Sequence, residues 1–361
     1  MPLNRLEPTS GHVTEPLTNL ADLGWGPFFL RQLDADEFQA SVIGRVTAVH
    51  RSGLHVLGVG LNAAIPHFAA DHGGETDFAT VGDWLLLDPD TLRSKRLLHR
   101  TSLIKRRAAG TGRRLQLIAA NVDTLFIVTS CNQDFKIARL ERYLTLAREA
   151  EITPVVVITK SDLADHPEEF EQAAVRLLPG LNVVVLDARN PDEVARLSPW
   201  CGRGQTVAFV GSSGVGKSTL INTLTRTERI ATQGIRGDDD KGRHTTSVRE
   251  LHRLPSGGWL LDTPGMRELQ LTDVQQGLGD VFADITRLTQ SCRFRDCRHD
   301  TEPGCAVRAA SERGELDENR LQRWKKLVAE ETFNTQSLVE RRARDRAFGK
   351  MIKTAKKNLH E

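Results

Sequence analysis

The sequence has no apolar run that approaches the ~18 residues needed to cross a bilayer. Its longest purely apolar stretches, such as residues 155–158, are far shorter. Residues 1–5 lack the apolar core of a secretory signal peptide. Cysteines number only five, an odd count, and three of them fall between Cys292 and Cys305, which disfavours a secreted disulfide scaffold. No internal repeat or low-complexity tract is present. We therefore expect a cytoplasmic protein with no membrane partner and a local metal site.

The composition is that of a folded protein with more than one domain. The chain has 361 residues, 39% apolar and 27% charged, which excludes collagen-like and wholly disordered chains and favours two or three domains. Short β-like runs with glycine turns between residues 38 and 109, including the alternating Leu57, Val59 and Leu61, predict a small β-barrel. From Leu117 onward, apolar strands alternate with helices, which predicts a parallel sheet covered on both faces. The predicted strands are residues 124–129, 154–159, 182–186, 206–210 and 259–261.

Charge is segregated along the chain although the net charge is only +2. Residues 93–114 contain nine Lys or Arg and no acidic residue, and residues 337–361 contain eight basic and three acidic residues. Residues 121–200 are acidic, with thirteen acidic and eight basic side chains. Basic stripes of this kind are typical of proteins that bind phosphate backbones, although any one stripe is equally compatible with a solvated surface.

The clearest motif is a complete G-x-x-x-x-G-K-[ST] pattern between the strand at residues 206–210 and a predicted helix at residues 219–224. That context suits a phosphate-binding loop, because the glycines turn backbone N–H groups toward phosphate oxygens at a helix N-terminus. Lys217 is expected to contact the β- and γ-phosphates as a catalytic residue, and Ser218 to ligate Mg²⁺. A chance glycine-rich turn is the alternative, which the flanking strand and helix disfavour. The candidate residues are Gly211, Ser212, Ser213, Gly214, Val215, Gly216, Lys217, Ser218 and Thr219.

Two motifs at the ends of other strands indicate guanine nucleotides. Asp262-Thr263-Pro264-Gly265 fits the D-x-x-G of GTPases, in which Asp262 would hold Mg²⁺ through water and the Gly265 N–H would sense the γ-phosphate. That short pattern is also a common loop turn. Thr159-Lys160-Ser161-Asp162 resembles the guanine-reading N-K-x-D motif with Thr in place of Asn. Asp162 would accept hydrogen bonds from N1–H and the 2-amino group of guanine, a pairing that adenine does not offer. The departure at Thr159 bears on some of the loop-bracing hydrogen bonds and not on the base contact. A strand end with a capping Ser-x-Asp is the alternative to the motif.

The order of these motifs is permuted, since T-K-x-D precedes the P-loop and D-x-x-G follows it. A permutation preserves the site because all these loops lie at the carboxyl edge of one parallel sheet. Ala188, after the strand at residues 182–186, stands where a backbone N–H would contact guanine O6.

With these motifs, the sequence resembles the circularly permuted, ribosome-small-subunit-dependent GTPase A family (RsgA, also called YjeQ), from about residue 38 to the C-terminus. The resemblance also rests on Ala120-Asn121-Val122-Asp123, Arg142-Tyr143-Leu144, Gly242-Arg243-His244-Thr245-Thr246 and residues 292–299. The segment around Leu23-Gly24-Trp25 is less usual and suggests a divergent paralogue. The resemblance implies hydrolysis of GTP, binding to ribosomal RNA and a role in late assembly of the small (30S) subunit.

Cys292, Cys297, His299 and Cys305 form a C-x4-C-x-H-x5-C cluster. Three thiolates and one imidazole suit one closed, tetrahedral, structural Zn²⁺ site, and the family resemblance supports zinc at the same positions. Buried free thiols near a surface histidine are the alternative. Cys131 and Cys201 have no such neighbours in the sequence and are expected to be packing residues.

The Gly- and Asp-rich stretch around residues 242–246 has the character of a switch loop. Either Thr245 or Thr246 would complete Mg²⁺ coordination, and we favour Thr246. Met266 follows D-T-P-G where many GTPases have a water-orienting Gln, and a thioether cannot orient water. His244 is the local candidate for that catalytic role, as the resemblance suggests, with an exposed loop histidine as the alternative.

Together these observations predict a multidomain α/β protein. Its expected parts are an N-terminal extension (1–37), an OB-like RNA-binding barrel (38–112), a circularly permuted P-loop GTPase domain (113–275) and a zinc-binding helical domain (276–361). We expect a monomer that binds GTP and GDP, with Mg²⁺ accompanying GTP. Two alternatives stay open, a P-loop ATPase acting on a small molecule and a non-catalytic zinc and RNA-binding assembly module.

Overall fold

The computed structural model describes residues 19–69, 76–107, 115–226, 249–262 and 273–335. The chain forms two compact units, Met1–Leu269 and Gln270–Glu361. Predicted site residues His244, Thr245, Thr246 and Gly265 lie outside the described ranges, as does the side chain of Asp262. Within those ranges no helix combines the length and the apolar character that a membrane span requires.

The first unit contains thirteen described strands, eleven of which form one continuous sheet. They are β1 (Val42–His50), β2 (Gly53–Gly58), β3 (Leu61–Ile65), β4 (Trp84–Leu87), β5 (Ser94–Leu97), β6 (Leu103–Arg107), β7 (Leu115–Ala120), β8 (Thr124–Ser130), β9 (Thr153–Thr159), β10 (Asn182–Val185), β11 (Thr206–Gly211), β12 (Arg249–Arg253) and β13 (Trp259–Asp262). Strands β6 and β7 form a separate antiparallel pair that spans the predicted domain boundary at residue 112.

The N-terminal strands are antiparallel and centre on β1. Strand β1 pairs with β2 along its second half and with β4 along its first half, with an irregularity in register between Val46 and Ala48. The alternation of Leu57, Val59 and Leu61 does not mark one strand, because β2 ends at Gly58 and β3 begins at Leu61. Gly60 adopts a left-handed φ of +68°, which turns the chain between these two paired strands.

Strands β10, β9, β8, β11 and β13 lie side by side in that order and are all parallel. The central strands are fully buried, as the sequence predicts for a sheet covered on both faces. The first-unit helices are α1 (Pro27–Leu30), α2 (Ala35–Gln39), α3 (Ile137–Glu149), α4 (Pro167–Val175), α5 (Pro191–Val194) and α6 (Lys217–Thr225). Strand β12 runs antiparallel to β13 and also pairs with β1, so the N-terminal strands continue the nucleotide-motif sheet.

A short helical segment precedes β1 and packs against both groups of strands. The rings of Trp25 and Phe29 contact Trp84 at centroid distances of 4.9 and 5.7 Å. The indole N–H of Trp259 in β13 donates to the backbone carbonyl of Asp22 at 2.7 Å. This segment therefore belongs to the core of the first unit.

A buried arginine joins the same elements from within. The Arg45 guanidinium donates to the Leu23 carbonyl at 2.5 Å and to the Thr206 hydroxyl at 2.9 Å. It also reaches the carbonyls of Gly82 and Asn121 at 3.3 and 3.1 Å. Burial lowers the pKa of Arg45 to about 10, so it stays charged at neutral pH. One side chain thus ties the N-terminal segment, β1 and β11 together.

The second unit is helical. Its helices are α7 (Gln275–Val281), α8 (Ala283–Thr289), α9 (Ala306–Glu312) and α10 (Glu318–Thr335). Arg320 on α10 binds Asp284 on α8 through two hydrogen bonds of 2.8 and 3.0 Å and lies over the ring of Phe282. The loop between α8 and α9 contains the Cys/His cluster. The loop with the cluster is therefore anchored at both ends by helices of a packed group.

Candidate functional site

The P-loop connects the end of β11 to the start of α6, as the sequence predicts. Gly214 and Gly216 have left-handed φ values of +80° and +89°, which glycine adopts without strain. A Cβ atom on Gly211 would lie 2.2 Å from the Val128 carbonyl oxygen, so no larger residue fits there. The loop therefore passes tightly against β8 before it enters α6. The N-terminus of a helix is a position at which an anion is stabilised.

Lys217 begins α6 and turns back across the loop. Its ammonium donates to the Gly211 carbonyl at 2.8 Å and contacts the carbonyl of Ser212. Ser218 and Thr219 follow in the first turn of α6. The positive charge of Lys217 thus lies against the backbone of the loop.

Thr159 joins the T-K-x-D loop to the P-loop. Its side chain is fully buried, and its hydroxyl oxygen lies 2.5 Å from the Val215 carbonyl and 3.1 Å from the Thr129 carbonyl. A threonine at this position therefore still braces the loop, because its hydroxyl reaches the P-loop backbone itself. Lys160 follows with a left-handed φ of +59°, which turns the chain toward Ser161 and Asp162.

Asp162 lies beyond this turn, with 28% of its side chain exposed. The Arg189 guanidinium donates to its Oδ2 at 2.6 Å. The same guanidinium makes two 3.1 Å hydrogen bonds to Asp187. The hydrogen bonds from Arg189 hold the pKa of the Asp187 carboxyl below its usual range. Asp162 is therefore an accessible carboxylate beside a second, ionised one.

Ala188 lies on the loop that follows β10 and is buried. The Thr223 hydroxyl, on α6, donates to the Ala188 carbonyl at 2.8 Å. Glu193 braces the loop from the other side, since its carboxylate accepts from the Asp187 N–H at 2.8 Å. The loop after β10 is thus fixed against the helix that begins at the P-loop.

These loops meet at one edge of the sheet because β9, β10 and β11 are parallel. The structure brings together the predicted residues of the P-loop, of T-K-x-D and Ala188, and places the backbone of Asp262 at the same edge, on the strand beside β11. Sequence reasoning missed Arg189 and Thr223. For Arg189 the signal in the sequence was its position directly after Ala188. For Thr223 it was its position on the helix after the P-loop.

The Cys/His cluster lies in the second unit, and its four ligand atoms all fall within 4.8 Å of one another. The Cys292 and Cys305 sulfurs are 4.0 Å apart, and each lies 3.5 Å from His299 Nδ1. A tetrahedron with Zn–S of about 2.3 Å and Zn–N of about 2.0 Å has edges of about 3.8 Å between sulfurs and about 3.5 Å from sulfur to nitrogen. The side chains therefore have the spacing of a four-coordinate metal site.

Electrostatics at the cluster also suit a cation. Burial opposes ionisation of Cys292, but the N–H groups of Ala306 and Val307 bring its pKa below the usual value. Burial and the two neighbouring thiols raise the pKa of Cys297 to about 11. Burial lowers the pKa of His299, which favours the neutral imidazole that ligates metals. Three thiolates so close together repel one another, and a bound cation removes that repulsion.

Helix α10 supports the cluster from behind. The Lys325 ammonium donates to the His299 carbonyl at 2.8 Å and to Asp300 at 2.7 Å. The ring of Trp324 lies 5.6 Å from that of His299. Trp324, from the apolar stripe predicted at Leu321, Trp324 and Val328, thus packs against the loop that contains the Cys/His cluster.

Comparisons with known proteins agree with this geometry. The family model of the RsgA GTPase matches residues 97–272. The chain is 48% identical over 334 residues to "Small ribosomal subunit biogenesis GTPase RsgA 2" of Vibrio parahaemolyticus, covering 92% of each chain. It is 50% identical over 327 residues to "Small ribosomal subunit biogenesis GTPase RsgA" of Mesorhizobium japonicum, covering 90% of this chain and 93% of that protein.

Two solved structures share the fold. YloQ, titled a circularly permuted GTPase, matches with a TM-score of 0.56 and 26% identity over 82% of this chain and 97% of its own. YjeQ from Thermotoga maritima matches with a TM-score of 0.57 and 24% identity over 80% of this chain and 97% of its own. The permuted order of the motifs along this chain and the parallel sheet agree with that fold.

Proposed function

This chain belongs to the RsgA GTPase family, and we propose that it hydrolyses GTP to GDP and phosphate under stimulation by the small ribosomal subunit, which it helps to mature. The observation that carries the proposal is the meeting of the P-loop and the T-K-x-D loop, joined by the Thr159 hydroxyl. A phosphate site and a guanine-reading carboxylate at one sheet edge are the two halves of a GTP site.

In the proposed reaction the P-loop N–H groups and Lys217 hold the phosphates. Negative charge that develops there is stabilised by donors already in place, which is the main catalytic device in phosphoryl transfer. Ser218, with Thr246 from the switch segment, would hold Mg²⁺, and Asp262 would act on it through water. The ion would neutralise the β- and γ-phosphate oxygens. Gly265 and Thr245 complete the predicted contacts, and His244 is the proposed group that orients water.

Base selection is assigned to the loops after β9 and β10. Asp162 would accept from guanine N1–H and its 2-amino group, Lys160 and Ser161 shape the loop, and the Ala188 N–H would donate to O6. A site built from paired polar contacts rejects a base that leaves them unpaired.

The remaining parts of the chain serve docking in this proposal. Strands β1–β5 are proposed as an OB-like barrel, since β1 pairs with both β2 and β4 and OB-folds bind oligonucleotides. Basic side chains between residues 93 and 114 would contact the ribosomal RNA of the 30S subunit. One Zn²⁺ held by the Cys/His cluster would be structural, because four protein ligands leave no position for water. A ribosomal partner implies a cytoplasmic protein, which we expect to act as a monomer with the four domains that the sequence predicts.

The test is GTP turnover with and without purified small subunits, with ATP as a competitor. We expect slow turnover alone, acceleration by small subunits, and displacement by GDP but not by ATP. Lys217→Ala should abolish turnover, because the charge over the β- and γ-phosphates is removed. ATP competing as well as GDP would favour the ATPase alternative. Absence of any turnover, with RNA binding retained, would favour the non-catalytic module.

A further inference from the structure

Arg189 occupies an unusual position between two carboxylates at the proposed base site. One of its N–H groups lies 2.6 Å from Asp162 Oδ2, the strongest contact that it makes by distance. Its Nε and the same terminal nitrogen each lie 3.1 Å from Asp187. The Arg189 side chain is 66% exposed, so it lies on the solvent side of both carboxylates.

The donor in this contact is of the same kind as the donors of the base. Guanine presents N1–H and a 2-amino group on one planar edge, which is a guanidine-like pair of donors. An arginine guanidinium offers the same planar arrangement of N–H groups to a carboxylate. We propose that Arg189 competes with guanine for the Asp162 carboxylate and so tunes which purines the site accepts. This inference rests on the proposed role of Asp162 in binding guanine.

Asp187 lowers the free-energy cost of replacing Arg189 by guanine at Asp162. It holds Arg189 through two hydrogen bonds to Oδ1 and Oδ2 that do not involve Asp162, and its Oδ1 also accepts from the Arg189 backbone N–H at 2.9 Å. When guanine takes Asp162, Arg189 keeps this second partner and gives up one hydrogen bond. Exposed ion pairs contribute little, so the competition should weaken guanine binding by about two- to fivefold.

The competition distinguishes guanine from hypoxanthine. Hypoxanthine retains N1–H but lacks the 2-amino group, so it needs only one carboxylate oxygen. Arg189 then keeps its bond to Oδ2 while the base uses the other oxygen. Guanine uses both oxygens, so its 2-amino group and the guanidinium compete for Oδ2. Arg189 is thus a specificity-determining residue that reduces the ratio of guanine affinity to hypoxanthine affinity.

The experiment measures the Kd of GDP and IDP by calorimetry for the wild type and for Arg189→Ala. GDP should bind about two- to fivefold more tightly to the variant, while IDP binding stays unchanged. The gain for GDP should shrink as salt is raised, because screening already weakens the exposed pair. Arg176→Ala removes an equal charge from the exposed C-terminal end of α4 and should change neither Kd.

Three results would overturn the inference. Weaker GDP binding in Arg189→Ala would mean that Arg189 contacts the nucleotide. An equal gain for GDP and IDP would mean a general charge effect. A gain that persists in an Asp162→Asn background would mean that Asp162 is not the contested group. The proposed function fails separately, if wild-type protein binds no guanine nucleotide or if Asp162→Asn leaves the preference for guanine over xanthine nucleotides unchanged.

Discussion

The Thr159 hydroxyl shows how one polar atom fixes the relation between two loops. It is buried between the end of β9 and the P-loop, where the Val215 and Thr129 carbonyls both approach it. Gly216 packs on the same side chain, since a Cβ there would lie 3.2 Å from the Thr159 hydroxyl oxygen. The residue that departs from the usual guanine motif is therefore the one that positions the phosphate loop.

Thr159→Val tests this role, because valine has the same shape but lacks the hydroxyl donor. An unsatisfied buried polar group costs about 1–3 kcal/mol, so the free energy of unfolding should fall by that amount. Affinity for GDP should fall by up to about tenfold, which corresponds to 1.4 kcal/mol. Both are measured on the purified protein, by denaturant titration and by calorimetry.

The matched control is Thr145→Val. That hydroxyl is also fully buried, but it donates to the Glu141 carbonyl within α3, away from the P-loop. Its removal should lower stability and leave GDP affinity unchanged, whereas Thr159→Ser should restore the affinity that Thr159→Val loses. Equal GDP affinity in Thr159→Val and the wild type would contradict the bracing role.

At the same scale, the residues of the nucleotide motifs were predictable and their partners were not. Lys217 and Asp162 occupy positions that follow from spacing and from the strand that precedes each. Arg189 reaches Asp162 across 27 residues of chain because β9 and β10 are neighbours, which no local pattern encodes.

Among the elements, the fully buried strands were predicted with bounds close to those observed. Continuous apolar runs such as β8 and β9 admit no polar face and therefore identify a covered parallel sheet. Strand β12 was missed, because four of the five residues in Arg249–Arg253 are polar and only Leu251 is buried. It becomes a strand through its neighbours β13 and β1. The helices at residues 20–39 are likewise stabilised by packing on Trp84 and by Arg45 rather than by their own length.

The loop between α8 and α9 has little apolar packing of its own, so its structure should depend on the metal. Removing one ligand by Cys297→Ala should release the ion, because metal-binding energy in such a loop is folding energy. Metal analysis should find one zinc per wild-type chain and none in the variant. Hydrogen exchange should become faster in the loop and in α9.

The control for this prediction is Cys201→Ala. Cys201 is a buried thiol in the core of the sheet, and burial raises its pKa to about 12, so it stays a neutral thiol. Its replacement should leave the zinc content at one. GDP affinity should survive in Cys297→Ala, because the first unit has its own core. A folded wild-type protein without metal would refute the site.

On the scale of the whole first unit, the sheet is continuous from the nucleotide motifs to the N-terminal strands. Strand β13, which ends at the D-x-x-G motif, pairs with β12, and β12 pairs with β1 through Ala48 and Val49. The chain enters β12 at Arg249, directly after the segment that contains His244. The Arg249 side chain also donates to the carbonyl of Leu117 in β7. RNA bound to the N-terminal strands would therefore contact the same sheet as β12, the strand that follows the proposed switch segment in the sequence.

Small subunits should accelerate GTP hydrolysis by wild-type protein, because without a water-orienting Gln at position 266 the catalytic group must be ordered by a partner. His244→Ala should lose most of that acceleration and keep its GTP affinity, as expected when an interaction forms chiefly in the transition state. The test is to measure single-turnover rates and GTP affinities of the wild type and of His244→Ala, with and without small subunits. Equal acceleration of wild type and variant would remove His244 from the mechanism and leave the ribosomal role intact.

Neutralising Lys105, Arg106 and Arg107 should have a different effect, since these residues of β6 belong to the basic stretch. Binding to small subunits should weaken, and its log–log salt dependence should flatten by about 0.7–0.9 for each phosphate that the protein no longer neutralises. Intrinsic turnover should not change. Neutralising Arg139, Arg176 and Arg196, which lie in the acidic stretch, removes the same charge and should leave the salt dependence as it is. If both triple variants weaken binding equally, net charge alone explains docking, and the basic stretch is not the RNA-binding surface.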